Sequence, residues 1–286
     1  MEMLYIGIFI ATISMVFYGV GDFLQGLGSK KINPITFLFW GQIVAIAFYF
    51  ALFFIFKPHY IITSYILALA IVAGALIFVA TLLFYKGLEI GKSSFMVPIA
   101  NAAGALAAIL GVVLLHEMLL SDQAFGVALT VIGILLMFDV INLKNLSIRK
   151  IEVEGFYAIS TMALWGVFLL IIGFISKQMG PIMPGLIAYI ISMLFTCAYV
   201  ILRKKSVRLP KGTIRYVLPA WLFGSAGFAL YTFATSFAYV SIVAPIALSS
   251  SAITVMLSIY VSKEKITQMR ILGIAAVIVG IIMISI

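Results

Sequence analysis

Charge is what this sequence has least of. Asp, Glu, Lys and Arg make up 9% of its 286 residues, against roughly 25% in an average soluble domain. A soluble fold of this size needs a charged surface, and there are too few charges to cover one. Cysteine is almost absent: Cys197 stands alone inside an apolar stretch, which excludes a disulfide framework and a cysteine metal cluster. His59 and His116 fall at loop positions, so no apolar run carries a His/Glu metal site. No paired-carboxylate or Ser-His constellation stands out either. These absences argue against an enzyme, and neither a metal nor a cofactor is expected. A Gly-x4-Gly-Lys-Ser/Thr phosphate loop is also missing, which excludes a primary pump of that type. The first apolar run has no basic stretch before it, carries Glu2, and is too long for a cleaved signal peptide. The formal charge of +9 sits in short loops, where it sets membrane topology rather than binding nucleic acid.

What the sequence does have is apolar length. Hydrophobic residues are 65% of the chain, and the sparse charges cluster to leave apolar runs of roughly 20 residues, enough to cross a hydrocarbon core. Ten runs can be read, at 4–27, 34–56, 64–85, 93–115, 119–141, 154–176, 181–202, 214–239, 241–261 and 266–286. They do not alternate polar and apolar, so a barrel is excluded. The expected fold is all-α and integral to the membrane, with ten transmembrane helices. A basic linker at 142–153 divides it into units 1–141 and 154–286.

The two units repeat each other. Tyr18-Gly19 answers Trp165-Gly166, Pro34 answers Pro181, and Pro98-Ile99-Ala100 answers Pro245-Ile246-Ala247. Glu117 answers Glu264, Gly126 answers Gly273, and Gly133 answers Gly280, every pair 147 positions apart. Shared Ile and Leu follow from apolarity alone, but Pro, Glu and Gly in one gapless register mark a true repeat. Five spans per unit start on one side of the membrane and finish on the other. The second unit therefore begins on the opposite side, and the two five-helix repeats are expected to be inverted copies. Such inversion is a common secondary-transporter architecture, with the substrate site near the midplane between the halves.

These paired residues, with the local text Tyr18-Gly-Val-Gly-Asp-Phe23 and Ser94-Phe-Met-Val-Pro-Ile99, resemble the EamA family of the drug/metabolite transporter superfamily over nearly the whole chain. The resemblance implies a ten-helix carrier of small metabolites such as amino acids or sugars, driven by an ion gradient or by exchange. It leaves the substrate open.

Several residues then become candidates. Asp22 lies inside the first apolar run, and its counterpart at 169 is Leu. Intramembrane acids mark functional sites by default, so Asp22 is read as the coupling group; the alternative places it at the interface, paired with Lys30 or Lys31. Tyr18, Gln42, Asn101, Trp165, Ser249 and Ser250, with Ser251, fall near the middles of their spans. They are read as substrate-binding, the alternative being interhelical hydrogen bonds. Glu117 and Glu264 sit where the fifth and tenth spans begin and are read as surface caps on the helix dipole. Gly126, Gly133, Gly273 and Gly280 provide close helix packing, expected between spans 4 and 5 and between spans 9 and 10, or else a dimer contact. Pro98 and Pro245 bend or begin their helices, as fixed kinks or as hinges.

Loop charge gives an orientation. Sixteen of the 18 Lys and Arg fall in odd-numbered loops, and only Lys57 and Lys177 in even ones. The positive-inside rule then puts the odd loops in the cytoplasm and both termini outside, in the cell membrane. The expected function is secondary-active transport of a small-molecule substrate by alternating access through a central cavity, with proton or exchange coupling, as a monomer or homodimer. The competing readings are a membrane-embedded enzyme and a non-transporting scaffold or receptor.

Overall fold

The computed structural model describes residues 2–57, 60–91, 93–136, 148–262 and 267–284. Among these, every regular element is a helix. The first unit contains α1 (Glu2–Ser29), α2 (Pro34–Phe56), α3 (Ser64–Ile90), α4 (Ser93–Asn101), α5 (Ala103–Leu114) and α6 (Ser121–Leu136). The second contains α7 (Ile148–Met179), α8 (Met183–Leu202), α9 (Ile214–Phe237), α10 (Val240–Leu248), α11 (Ser251–Ser262) and α12 (Gln268–Ile284). Among the described residues, eight stretches are long and apolar enough to cross a membrane, and Ser121–Leu136 and Gln268–Ile284 are shorter apolar helices.

Local chemistry sets the boundaries. Asn33 Oδ1 accepts the Ile35 N–H at 3.1 Å and Pro34 opens α2, an N-cap followed by the one helical position that loses nothing to Pro. Thr63 Oγ1 caps α3 through the Ile66 N–H at 3.3 Å. Lys57 and Lys204, 147 apart, take left-handed backbone conformations (φ 41° and 49°) just after α2 and α8. The repeat thus extends to how its helices stop.

Three expectations change here. Spans 4 and 9, read as single helices, are each interrupted, at Ala102 between α4 and α5 and at Ser249–Ser250 between α10 and α11. Ala102 and Ser249 are again 147 apart. The cause lies one turn earlier. Pro98 and Pro245 lie inside α4 and α10, remove a backbone donor and crowd the preceding turn. The chain tightens after them: the Ala102 N–H is shared between the carbonyls of Pro98 and Ile99, and the Ser249 N–H between those of Pro245 and Ile246. Second, α7 begins at Ile148, inside the segment read as linker; residues 137–147 lie outside the described residues, as does Glu264.

The third change concerns the glycines. They do not join neighbouring spans; they join α6 to α12 across the two units. A Cβ on Gly126 would stand 2.7 Å from the Gly280 carbonyl oxygen, one on Gly280 2.7 Å from that of Gly126, and one on Gly133 2.7 Å from that of Gly273. Only a hydrogen fits such a backbone-to-backbone approach, which in lipid substitutes for a hydrophobic driving force.

The remaining packing also crosses between units. α1 lies along α9 and, 147 positions on, α7 lies along α3; α3 meets α8 as α9 meets α2; α2 pairs with α8. The loops gather at two ends. At one, Lys31 Nζ donates to the Tyr216 hydroxyl at 2.6 Å, and the carbonyls of Ser206 and Val207 accept from Thr36 and Trp40. At the other, Lys177 reaches Glu117 at 3.4 Å and lies over the Tyr239 ring.

Candidate functional site

The crossing of α1, α2, α3, α7, α8 and α9 beside the interrupted spans leaves a cavity, lined as small-molecule sites are by apolar and aromatic side chains with a few polar groups. Eighteen residues line it, and twelve of them form six pairs 147 positions apart: Tyr18 with Trp165, Asp22 with Leu169, Gln42 with Tyr189, Ile77 with Gly224, Thr81 with Phe228, and Asn101 with Leu248. The cavity is therefore built by equivalent positions of both units.

Four of the pairs are unequal. Asp22, Gln42, Thr81 and Asn101 come from the first unit, while their counterparts Leu169, Tyr189, Phe228 and Leu248 are apolar or aromatic. One wall can hydrogen-bond to a ligand and the wall across from it is mostly greasy.

At the centre of the polar wall is Asp22, 5% exposed. Its Oδ2 accepts from Asn101 Nδ2 at 3.1 Å and from the Ser250 hydroxyl at 3.2 Å, and Asn101 Nδ2 also donates to Ser250 Oγ at 2.9 Å. Asn101 precedes one interruption and Ser250 lies in the other, so the kinks bring these side chains to the carboxylate. The interfacial reading of Asp22 does not hold: its partners are Asn101 and Ser250, and Lys31 is occupied with Tyr216. Gln42 lines the cavity and donates through Nε2 to Ser192 Oγ at 2.6 Å.

The Tyr-Gly and Trp-Gly motifs now have a physical reason. Tyr18 and Trp165 face the cavity, while the glycine after each lets its helix lie on an interrupted span of the other unit. A Cβ on Gly19 would collide with Ile253 and the Ser250 carbonyl, and one on Gly166 with Leu106. Ile253 and Leu106 are themselves repeat partners.

Of the residues expected to bind substrate, Tyr18, Gln42, Asn101 and Trp165 line the cavity. Ser250 touches it through Asp22 and Asn101, and Ser249 turns back to donate to the Pro245 carbonyl at 2.6 Å. Gln25, Thr81, Tyr85, Tyr189, Ser192 and Trp221 also line it and were not singled out. The repeat offset was a usable signal for one of them: Gln42 leads to Tyr189.

Glu117 stands elsewhere, and not as a surface cap on the span that follows it. It is 6% exposed, and its two oxygens accept the backbone N–H groups of Val240 at 3.0 Å and Ser241 at 2.8 Å. It caps α10, in the other unit, where the unpaired N–H groups of a helix start favour a carboxylate. Among the described residues no cluster of three or more His, Cys, Asp or Glu side chains converges.

An apolar bundle with eight membrane-length stretches among the described residues and a cavity lined by both repeats is a multi-pass membrane protein. The profile of the EamA-like transporter family matches residues 5–139 and 154–286. The chain belongs to that family, whose members are transporters of the drug/metabolite type. An uncharacterized protein of Methanocaldococcus jannaschii is 32% identical over 130 residues, 46% of this chain and 94% of its own length. That relative matches over about the length of one repeat. A solved crystal structure superposes with a TM-score of 0.77 at 12% identity over 97% of both chains, which establishes a shared fold.

Proposed function

We propose that this protein is a secondary-active transporter of small metabolites that works by alternating access through the central cavity. The observation that carries the reading is the lining itself: six pairs of equivalent positions face one space. In this reading the ten apolar segments are ten spans, α4 with α5 and α10 with α11 each forming one, arranged as two inverted five-helix repeats divided near residues 142–153. The exchange of packing partners between units, α1 on α9 and α7 on α3, supports the inversion, as does the odd number of spans per unit.

The unpaired lining residues support a direction. Gln25 and Tyr85 lie toward the end of the bundle that holds Lys31 and Tyr216, and the Tyr85 hydroxyl donates to Gln25 Oε1 at 2.9 Å. Gln25 is half-buried while its counterpart 147 positions on, Ile172, is fully buried; Tyr85 and its counterpart Thr232 are both fully buried, but only Tyr85 lines the cavity. The conformation is thus read as reaching toward the basic end and closed toward the end held by Glu117 and Lys177. Exchanging the conformations of the two repeats opens the other side. Loop charge places the basic end in the cytoplasm of a cell membrane and both termini outside. Asp22 is proposed as the coupling group, with protons or an exchanged solute as the driving partner.

One labelling experiment tests orientation and access together. In a Cys197→Ser background, Arg208→Cys is expected to react with an impermeant maleimide only from the cytoplasmic face. Ile172→Cys, buried here, is expected to react from the outer face of intact cells as the protein cycles. Labelling of Arg208→Cys on intact cells contradicts the orientation. An Ile172→Cys variant that inserts normally and stays inert from outside contradicts alternating access.

A further inference from the structure

Three features of the cavity lining point to a ligand class. The first is one carboxylate with an unfilled oxygen. Both donors to Asp22 land on Oδ2, and among the described residues no donor reaches Oδ1. The second is the absence of an opposite charge: none of the eighteen lining residues is Lys, Arg or His. A carboxylate, phosphate or sulfate would enter beside Asp22 with no cation among the lining residues to receive it, and an anion desolvated without a partner is costly. The third is aromatic surface. Trp165, Phe168, Tyr189, Trp221 and Phe228 of the second unit, with Tyr18 and Tyr85 of the first, surround the space.

Carboxylate and ring faces are the two groups that hold organic cations, the first by charge-assisted hydrogen bonds and the second by cation–π attraction and apolar contact. One further polar group fits this picture. Gln42, also a first-unit lining residue, keeps Oε1 without a hydrogen-bond donor among the described residues, a second acceptor in the lining. The Trp221 indole, by contrast, lies against Gly41, so its N–H does not serve the cavity.

The two walls fix an orientation as well as a class. In the unequal pairs every strongly polar member belongs to the first unit. We infer that the cavity takes an amphipathic organic amine, its ammonium on Asp22 and its apolar or aromatic body against Trp165, Phe168, Tyr189 and Trp221. This rests on the transporter reading above and names its substrate class. Asn101 and Ser250 are positioning residues: by occupying Oδ2 they turn Oδ1 to the ligand. A carbohydrate fits this lining poorly, because its many hydroxyls face a second-unit wall with few acceptors.

The test is a ligand series on the purified full-length protein, read as a titrated shift in thermal stability, since a ligand of the native state raises it. The series is 2-phenylethylamine, n-hexylamine, 2-phenylethanol, 3-phenylpropionate and phenylalanine. The amines are expected to bind at least tenfold more tightly than the matched alcohol, with 3-phenylpropionate giving no shift. Asp22→Asn is expected to weaken 2-phenylethylamine at least tenfold. Asp122→Asn, an exposed acid at the start of α6, is expected to leave its binding unchanged.

The unmodified protein with the isosteric ligands carries the test even where Asp22→Asn does not fold. Equal binding of the alcohol, preferential binding of 3-phenylpropionate or phenylalanine, or no shift with either amine overturns the amine assignment. Counterflow of a carboxylate or sugar would overturn it too while leaving the transporter reading intact. Amine binding without counterflow keeps the ligand class and removes the transporter.

Discussion

Replacing Asp22 by Asn is expected to abolish gradient-driven accumulation of substrate, by tenfold or more, while reducing passive exchange far less. The substitution keeps shape and hydrogen-bonding capacity, so the Asn101–Ser250 contacts have a replacement acceptor in the new amide oxygen, and only the ionisable group is lost. An acid inside a membrane span is costly, a cost the bundle has accepted at one member of a repeat pair and avoided at the other, Leu169. A purely architectural polar contact would be served by Asn. The measurement is uptake into proteoliposomes with and without an imposed proton gradient, set against exchange with no gradient, across a range of pH. An Asn variant that accumulates substrate normally with unaltered pH dependence removes Asp22 from coupling.

The second large effect is structural. Gly133→Leu and Gly280→Leu are each expected to separate α6 from α12 and lower the melting temperature of the purified protein by several degrees. Each Cβ would stand 2.4–2.7 Å from atoms of the facing helix: Gly273 O for Gly133, and Thr130 Oγ1 and Gly126 O for Gly280. In both cases a carbonyl oxygen of the facing backbone is among them, and it has no rotamer by which to move aside. Overpacking a tight contact costs about 1–3 kcal/mol, and this one adds a branched side chain at the closest approach. Both glycines lie away from the cavity, so the loss falls on stability before it falls on substrate binding. Unchanged thermal stability in both variants would mean that α6 and α12 do not pack this way in the bilayer.

Much of this was legible in the sequence because a repeat doubles every signal. Tyr18-Gly19 alone is unremarkable; with Trp165-Gly166 at the same offset it marked two cavity positions, while the close helix crossings at the two glycines show only in the structure. Asp22 stood out because an acid in an apolar run is expensive. The kinks at Ala102 and Ser249–Ser250 are hidden by uniformly apolar runs through 93–115 and 241–261, within which Pro98 and Pro245 predict bends without a position for the break. Tyr85 and Trp221 were invisible for a different reason. The chain holds 13 Tyr and 23 Phe, and an aromatic facing lipid has the same local sequence as one facing the cavity. Partners in the other unit are the hardest to read. Nothing around Glu117 signals that it caps α10, and nothing around Gly126 signals Gly280, since both contacts join segments far apart in the chain.

The most direct measurement is counterflow. Proteoliposomes containing the purified protein, preloaded with unlabelled 2-phenylethylamine or with a mixture of unlabelled amino acids, sugars and amines, are diluted into the matching trace-labelled compound. A transient internal excess of label over protein-free liposomes, reduced when bulky Phe replaces Gly224 in the cavity lining, is the predicted result. No excess of any labelled compound, from protein whose thermal stability responds to one of the same ligands, would show a membrane receptor with a binding cavity and contradict the transporter account.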